Sequence, residues 1–429
     1  MGSRSQAMKK NAILHIVGLL AIAQSATIHH EAFSRLQANL QSPKSIAALP
    51  QEPWVTIFIH GTLGVEKLMN FETILTLLKR SIDGTRYQRL MECLREHPYS
   101  YAAQAAQLPG LRPIEMKNKE QNSAELFARL YDIIQKRYFP EQTAVEWLTF
   151  GWSGAINHLQ RVQDAKELFE ELSQYVKQKK ETFPNLKVRL VTYSHGSNIA
   201  LNLEYWRDKS KEELPFQIDE LIMLGTPVIV ESEDYIYSPL FKNIYSIYSR
   251  HDMASILDLF STRGTFPRRR FHKKHHESFP PNFKQVEIEL TLTAKNNLHQ
   301  PNNSNRTIEK SPGHLEMWIF GWPDVTIFCR RHFPLSPLPA ALLAPAIVAH
   351  YRDCPSSEHD EVFCYKTDEG FAYTRKRFST EKTYFDFIEP EFITSLQSYA
   401  WNFWHNRMSQ TEKDAIQVRC NGILKGLLC

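Results

Sequence analysis

The sequence predicts an α/β protein built on a mostly parallel central sheet with helices on both faces. Three observations predict it. Short, largely apolar runs recur at residues 54–59, 145–150, 188–193, 218–224 and 243–248, as strands buried on both faces do. Segments of helical period separate several of them, and Leu168, Leu172 and Val176 form a one-sided apolar stripe. The runs stop at small or polar groups: His60-Gly61-Thr62, Gly151-Trp152-Ser153-Gly154, Ser194-His195-Gly196, Gly225-Thr226-Pro227 and Ser249-Arg250-His251-Asp252. In open parallel sheets, functional groups gather beyond the carboxyl ends of the strands.

The elements follow in order. Residues 54–59 read as a buried strand ended by the His60 turn. The block from 64 to 120 exceeds what a minimal α/β unit needs. Within it, 71–80 and 87–96 read as helices, and 108–113, with Pro109, Gly110 and Pro113, as turn-rich. As a helical insertion near the site it would form a lid. Ile74 and Leu78, then Leu90 and Leu94, stand four apart and would give an apolar wall; a simple packed insertion fits the same spacing. Residues 123–138 carry Leu126, Leu130, Ile133 and Ile134 on one helical face, and 163–180 form the amphipathic helix of the stripe above. A helix over 198–207 follows the turn at Ser194. Residues 286–291 alternate as an edge strand would. An insertion over 263–285 holds the basic run 267–276, and 295–310 is a polar, asparagine-rich loop. The α/β core expected from these elements spans 50–325. Residues 326–429 read as a C-terminal extension or small subdomain, with a proline-broken stretch at 335–348, a hairpin within 360–387 and a helix over 392–407.

Composition bounds the rest. Hydrophobic residues make up 42% of the 429, enough for a packed core and against global disorder. The net charge of +4 (51 − 47) is small and spread along the chain, so nucleic acid is not an expected partner. Arg4, Lys9 and Lys10 precede an apolar run at 12–23 that ends in Ala21-Ile22-Ala23, the pattern of a cleaved signal peptide over 1–26. The expected location is therefore exported: periplasmic, secreted or membrane-associated. The run falls short of the ~20 residues that a spanning helix needs. None of the six cysteines forms a C-x-x-C pair, which removes support for zinc ribbons and thioredoxin-like sites. Cys354 and Cys364 are placed either to close a small disulfide loop or to remain thiols.

The stretch 188–201 carries the chemistry. A strand rises to Ser194, and a helix begins just after it, a strand–turn–helix elbow that exposes the hydroxyl at the sheet edge. Acyl transfer by a serine needs a base, a carboxylate that orients the base, and donors for the oxyanion. Ser194, Asp252 and His314 supply nucleophile, acid and base in that chain order. Glu231, Asp234 and Asp258 are rival acids, and His299 is the rival base. The backbone N–H groups of Thr62 and His195 are the expected oxyanion donors. His60 reads as a structural residue of its turn. No metal or organic cofactor is required by this scheme. Thr192 stands where the usual G-x-S-x-G elbow has its first glycine, at some cost in a crowded turn; Gly196 keeps the second.

Four segments together carry a resemblance: VTIFIHGT (55–62), LVTYSHGSN (190–198), LIMLGTPV (221–228) and SRHD (249–252). Through them the chain resembles the α/β-hydrolase superfamily, and within it lipase- and esterase-like members, including proteins distantly similar to GPI inositol-deacylases. The likeness covers roughly 50–320. It implies a serine hydrolase acting on a lipid or other apolar ester through an acyl-enzyme. Contact with a membrane surface is a separate expectation, carried by the basic run with its arginines, lysines, histidines and Phe271; a solvated loop is the alternative reading of that run. Two alternatives stand beside the hydrolase reading: an inactive exported interaction protein on the same fold, or an amidase or thioesterase with the same three residues.

Overall fold

The computed structural model describes residues 51–62, 83–96, 103–116, 122–210, 216–253, 267–273, 278–294, 306–322, 333–352 and 361–407, with a few positions beyond. The expected signal segment (1–26) lies outside them, as do Ile74, Leu78, Asp258, His299 and Cys354. So do the side chains of Leu90 and Leu94.

The apolar runs become β1 (Glu52–Ile59), β3 (Gln142–Gly151), β4 (Lys187–Tyr193), β5 (Glu220–Leu224) and β6 (Ile244–Tyr248). They join β2 (Gly110–Pro113), β7 (Phe283–Ala294), β8 (Arg306–Lys310), β9 (Glu361–Lys366), β10 (Phe371–Lys376) and β11 (Thr383–Asp386). All belong to one sheet, ordered β11-β10-β9-β7-β6-β5-β4-β1-β3-β2, with β8 paired to β7. The stretch from β3 to β9 is parallel throughout. β2, β8, β10 and β11 pair antiparallel.

Helices cover both faces because side chains alternate across each strand. Val55, Ile57, Val188, Leu190, Leu221 and Met223 point into one apolar cluster, with Leu168, Leu172 and Val176 of α3 (His158–Lys180). Phe58, Val191, Tyr193, Ile222, Leu224 and Ile247 point into the other. That second face is closed by α2 (Ser123–Tyr138), α6 (Ala344–Arg352) and α7 (Pro390–Arg407). The helix α1 (Arg86–Glu96) lies before β2 in the chain, and α4 (His195–Leu201) and α5 (Leu203–Lys209) follow β4. Asparagines start the two long helices: the Asn122 carboxamide accepts from Glu125 N–H, and that of Asn157 from Leu159 and Gln160 N–H.

Three expectations change. The alternation at 286–291 is not an edge: β7 pairs with β6 and β9 and lies inside the sheet. Its polar positions are buried carboxylates rather than solvent-facing groups. Glu287 meets Arg377, and Glu289 meets Arg250 and Arg375. The loop expected through 295–310 ends in a strand: β8, with β-branched Thr307 and Ile308, pairs with the last five residues of β7. The segment read as an extension or subdomain after 326 places β9, β10 and β11 in the same sheet and α7 on the same core. In that segment Cys364 is a buried free thiol whose S–H donates to Glu289 Oε2 (3.2 Å). The only cis peptide among the described residues is Ser336–Pro337.

The order of connections positions the site. From β1 the chain moves outward to β3, then returns past β1 to β4 and continues to β5 and β6. Connections from β1 and β4 therefore leave in opposite directions, and a crevice opens between their carboxyl ends. His60-Gly61-Thr62 ends one strand and Ser194 the other.

Candidate active site

Ser194 caps α4 with φ 51° and ψ −130°, the only non-glycine residue with positive φ among those described. Such a backbone costs about 1–3 kcal/mol and persists only where neighbours hold it. Ser194 N–H donates to Leu224 O (2.9 Å), tying the turn to β5, and Ser197 N–H donates to Ser194 O (3.0 Å). Gly196 lets the helix start against β1: a Cβ there would stand 2.4 Å from His60 O and 2.7 Å from Ile59 O.

Thr192 is accommodated by its hydroxyl. Oγ1 lies 2.8 Å from Ser197 Oγ and donates to Ile222 O (3.1 Å), so the extra side chain is a buried tie between β4, α4 and β5. The hydroxyl gives threonine a use that glycine could not supply.

The three candidate side chains meet. His314 Nε2 lies 3.0 Å from Ser194 Oγ, and Nδ1 lies 2.8 Å from Asp252 Oδ2. An ionised carboxylate only accepts, so the network assigns the proton to Nδ1 and leaves Nε2 to accept from the serine hydroxyl. Ser194 and Asp252 are buried, and the His314 side chain retains a small exposed fraction. Glu231 and Asp234 fall on the segment after β5; the carboxylate at His314 is that of Asp252.

Each partner is held from outside the triangle. Gly225 has φ +57°, and a Cβ on it would stand 2.9 Å from Asp252 Oδ2 and 3.4 Å from His314 Nδ1. The Gly-Thr-Pro turn thus leaves room for the acid–base pair. Arg269 Nε donates to Asp252 O (2.6 Å), and Arg268 bridges backbone-to-backbone with Val228 while its side chain pairs with Glu233. Within the basic run, Arg269 is thus tied to the loop of Asp252 and Arg268 to the segment after β5. Arg250 spans the acid and base loops: it pairs with Glu289 and donates from Nε to Ser311 Oγ (3.2 Å). Tyr193 OH donates to His314 O (3.0 Å), and its ring packs 4.8 Å from the imidazole. Glu316 accepts from Gly313 N–H (2.8 Å) and pairs with Lys310 (3.0 Å).

Of the expected oxyanion donors, His195 follows the serine in the chain and Thr62 follows Gly61, which lies against it. His195 is the first residue of α4, and its buried ring lies near the Asn198 carboxamide (3.3 Å). The Gly61–Thr62 backbone runs against the elbow, close enough that a Cβ on Gly61 would stand 2.7 Å from Ser194 Cβ. His60 is wholly buried, and burial, with Arg95 nearby, pushes its imidazole down to about 3. It is a neutral structural ring.

Reading the sequence missed Arg250, Arg269, Tyr193, Glu316 and Trp152. Tyr193 and Trp152 sit directly at strand ends, which was a usable signal; the arginines act across long chain separations that no local pattern carries. No protein-family model matches this chain, and no curated protein matches it.

Proposed function

We propose that this protein is a serine hydrolase of the α/β-hydrolase type that cleaves an ester of a lipid or other apolar acid by way of an acyl-enzyme. The observation that carries the proposal is the run Asp252–His314–Ser194 at 2.8 and 3.0 Å, with the serine on a strained strand-to-helix elbow. Ser194 Oγ attacks the acyl carbon as His314 Nε2 takes its proton. The tetrahedral intermediate collapses, the C–O bond to the alcohol breaks, and His314 returns the proton to the leaving oxygen. Water repeats the cycle on the acyl-enzyme and frees the acid. Asp252 holds the imidazole tautomer and stabilises the imidazolium. The N–H groups of Thr62 and His195 are assigned to the oxyanion.

The test is turnover of p-nitrophenyl esters of graded chain length, with fluorophosphonate labelling and peptide mapping. The parent is expected to hydrolyse them and label at Ser194, and Ser194→Ala to do neither. Equal labelling of parent and variant would refute the mechanism. Parallel amide and thioester substrates decide which acyl bond is preferred, since the same three groups serve all.

A further inference from the structure

Gly61–Thr62 is useful to an oxyanion only if its N–H, and not its carbonyl, faces the serine. A peptide plane next to glycine turns easily, because glycine lacks the Cβ that restricts its backbone. Turned over, it would present a carbonyl lone pair to a developing negative charge. Something must hold the plane one way round.

The neighbouring contacts do so. The peptide is planar and trans, so Gly61 C=O and Thr62 N–H point in opposite directions. His60 Nδ1 lies 2.7 Å from Gly61 O. His60 Nε2 lies 3.3 Å from the backbone N of Trp152, which can only donate. Nε2 is therefore the acceptor, Nδ1 carries the proton, and Nδ1–H donates to Gly61 O. The low imidazole pKa keeps the ring in this neutral form. Trp152 adds two more contacts. Its indole N–H donates to His60 O (2.7 Å), and the two rings stack 5.6 Å apart at 13°. Its own carbonyl accepts from Arg95 on α1. On the other side of this peptide, the Thr62 hydroxyl is buried with no partner among the described residues.

We infer that His60 and Trp152 are positioning residues that lock the Gly61–Thr62 peptide with its N–H toward the oxyanion, an inference that rests on the hydrolase reading above. The lock joins the ends of two adjacent strands: the turn after β1 supplies the peptide and the imidazole, and the loop after β3 supplies the tryptophan. It takes no part in proton transfer. Its effect falls on the tetrahedral species and not on substrate binding.

Three variants test it: Trp152→Phe keeps the stacked ring and loses the indole N–H, His60→Leu loses the donor to Gly61 O, and His60→Asn returns an N–H near the Nδ1 position. The readouts are kcat and KM for a p-nitrophenyl ester, and Ki for a trifluoromethyl ketone whose adduct with serine carries the oxyanion. Trp152→Phe is expected to lower kcat about tenfold and His60→Leu about 10²–10³-fold, the range for loss of an oxyanion donor. The ketone Ki should rise in parallel while KM changes little, and His60→Asn should recover much of the loss. If His60→Leu does not fold, Trp152→Phe and His60→Asn against the parent carry the same comparison. Unchanged kcat and Ki, a fall in kcat without a rise in Ki, or no recovery in His60→Asn would overturn the inference. Failure of the hydrolase reading shows separately: the parent would then neither turn over esters nor label at Ser194.

Discussion

His60 couples stability to pH. It is fully buried, and burial, reinforced by the charge of Arg95 and opposed by the bond to Gly61 O, takes its imidazole from 6.5 to about 3. A depressed histidine pKa means that the unfolded chain binds the extra proton first. Stability is therefore intact above about pH 6.5 and is lost as pH falls from there toward about 3. At about pH 5 the unfolded imidazole is charged and the native one is not, a gap of about 1.5 units. At ~1.4 kcal/mol per unit this removes about 2 kcal/mol relative to about pH 8. The assay is urea unfolding of the parent and His60→Asn at both pH values. Asparagine does not titrate, so the parent should lose about 2 kcal/mol more than the variant between the two conditions. His272 and His350, also lowered by burial, are present in both proteins and cancel. Equal pH dependence in parent and variant would show that His60 is not held neutral, and the tautomer argument for the Gly61 carbonyl would go with it.

Thr192→Val keeps the shape and removes the hydroxyl shared with Ser197 and Ile222 O, so urea unfolding should show a loss of about 1–3 kcal/mol. Unchanged stability would mean that the hydroxyl is not what makes threonine tolerable at the elbow. Glu289→Ala strips the buried carboxylate from Arg250 and Arg375, and because the Arg250 side chain is nearly half exposed the cost should sit near the low end, about 3 kcal/mol, by the same measurement. Fluorophosphonate labelling should also slow, since Arg250 joins the acid and base loops. Burial, with Glu289 beside it, pushes the Cys364 thiol up to about 12, so iodoacetamide at about pH 8 should leave it unmodified in the native protein and alkylate it after denaturation. Fast alkylation of native Cys364 would place it in a different environment.

Much of this arrangement was legible because parallel strands write themselves plainly. β1, β4, β5 and β6 are buried on both faces and read as apolar runs, and the candidate residues Ser194 and Asp252 fall at or a few residues past the ends of β4 and β6. Strand-end position together with the serine–acid–histidine chain order made Ser194 and Asp252 candidates. β7 was misread for a physical reason: Glu287 and Glu289 alternate like solvent-facing residues, but Arg375 of β10, Arg377 just after it and Arg250 after β6 pair with them inside the sheet. β8 was hidden at the end of an asparagine-rich stretch and exists because the long β7 offers it a partner. Contacts such as Arg269 on Asp252 O and Trp152 on His60 join loops far apart in sequence, and no periodicity announces which loops will meet.

The place of β1 explains why those loops meet where they do. It lies between β3 and β4, so its carboxyl end has a loop on either side. The β4 side brings Ser194 in a backbone that costs about 1–3 kcal/mol to hold. That strain is offset by contacts with three strands: Leu224 O of β5 on the serine N–H, Thr192 of β4 on Ile222 O and Ser197, and Gly196 against the end of β1. The β3 side brings Trp152, which fixes the other wall of the crevice through His60. Ser194 and the Gly61–Thr62 peptide are thus set by opposite neighbours of one strand. A change that alters only the β3 side should slow ester turnover and, because the phosphonyl oxygen takes the oxyanion position, slow fluorophosphonate labelling in step with it. A change at Thr192 or Gly196 should impair both.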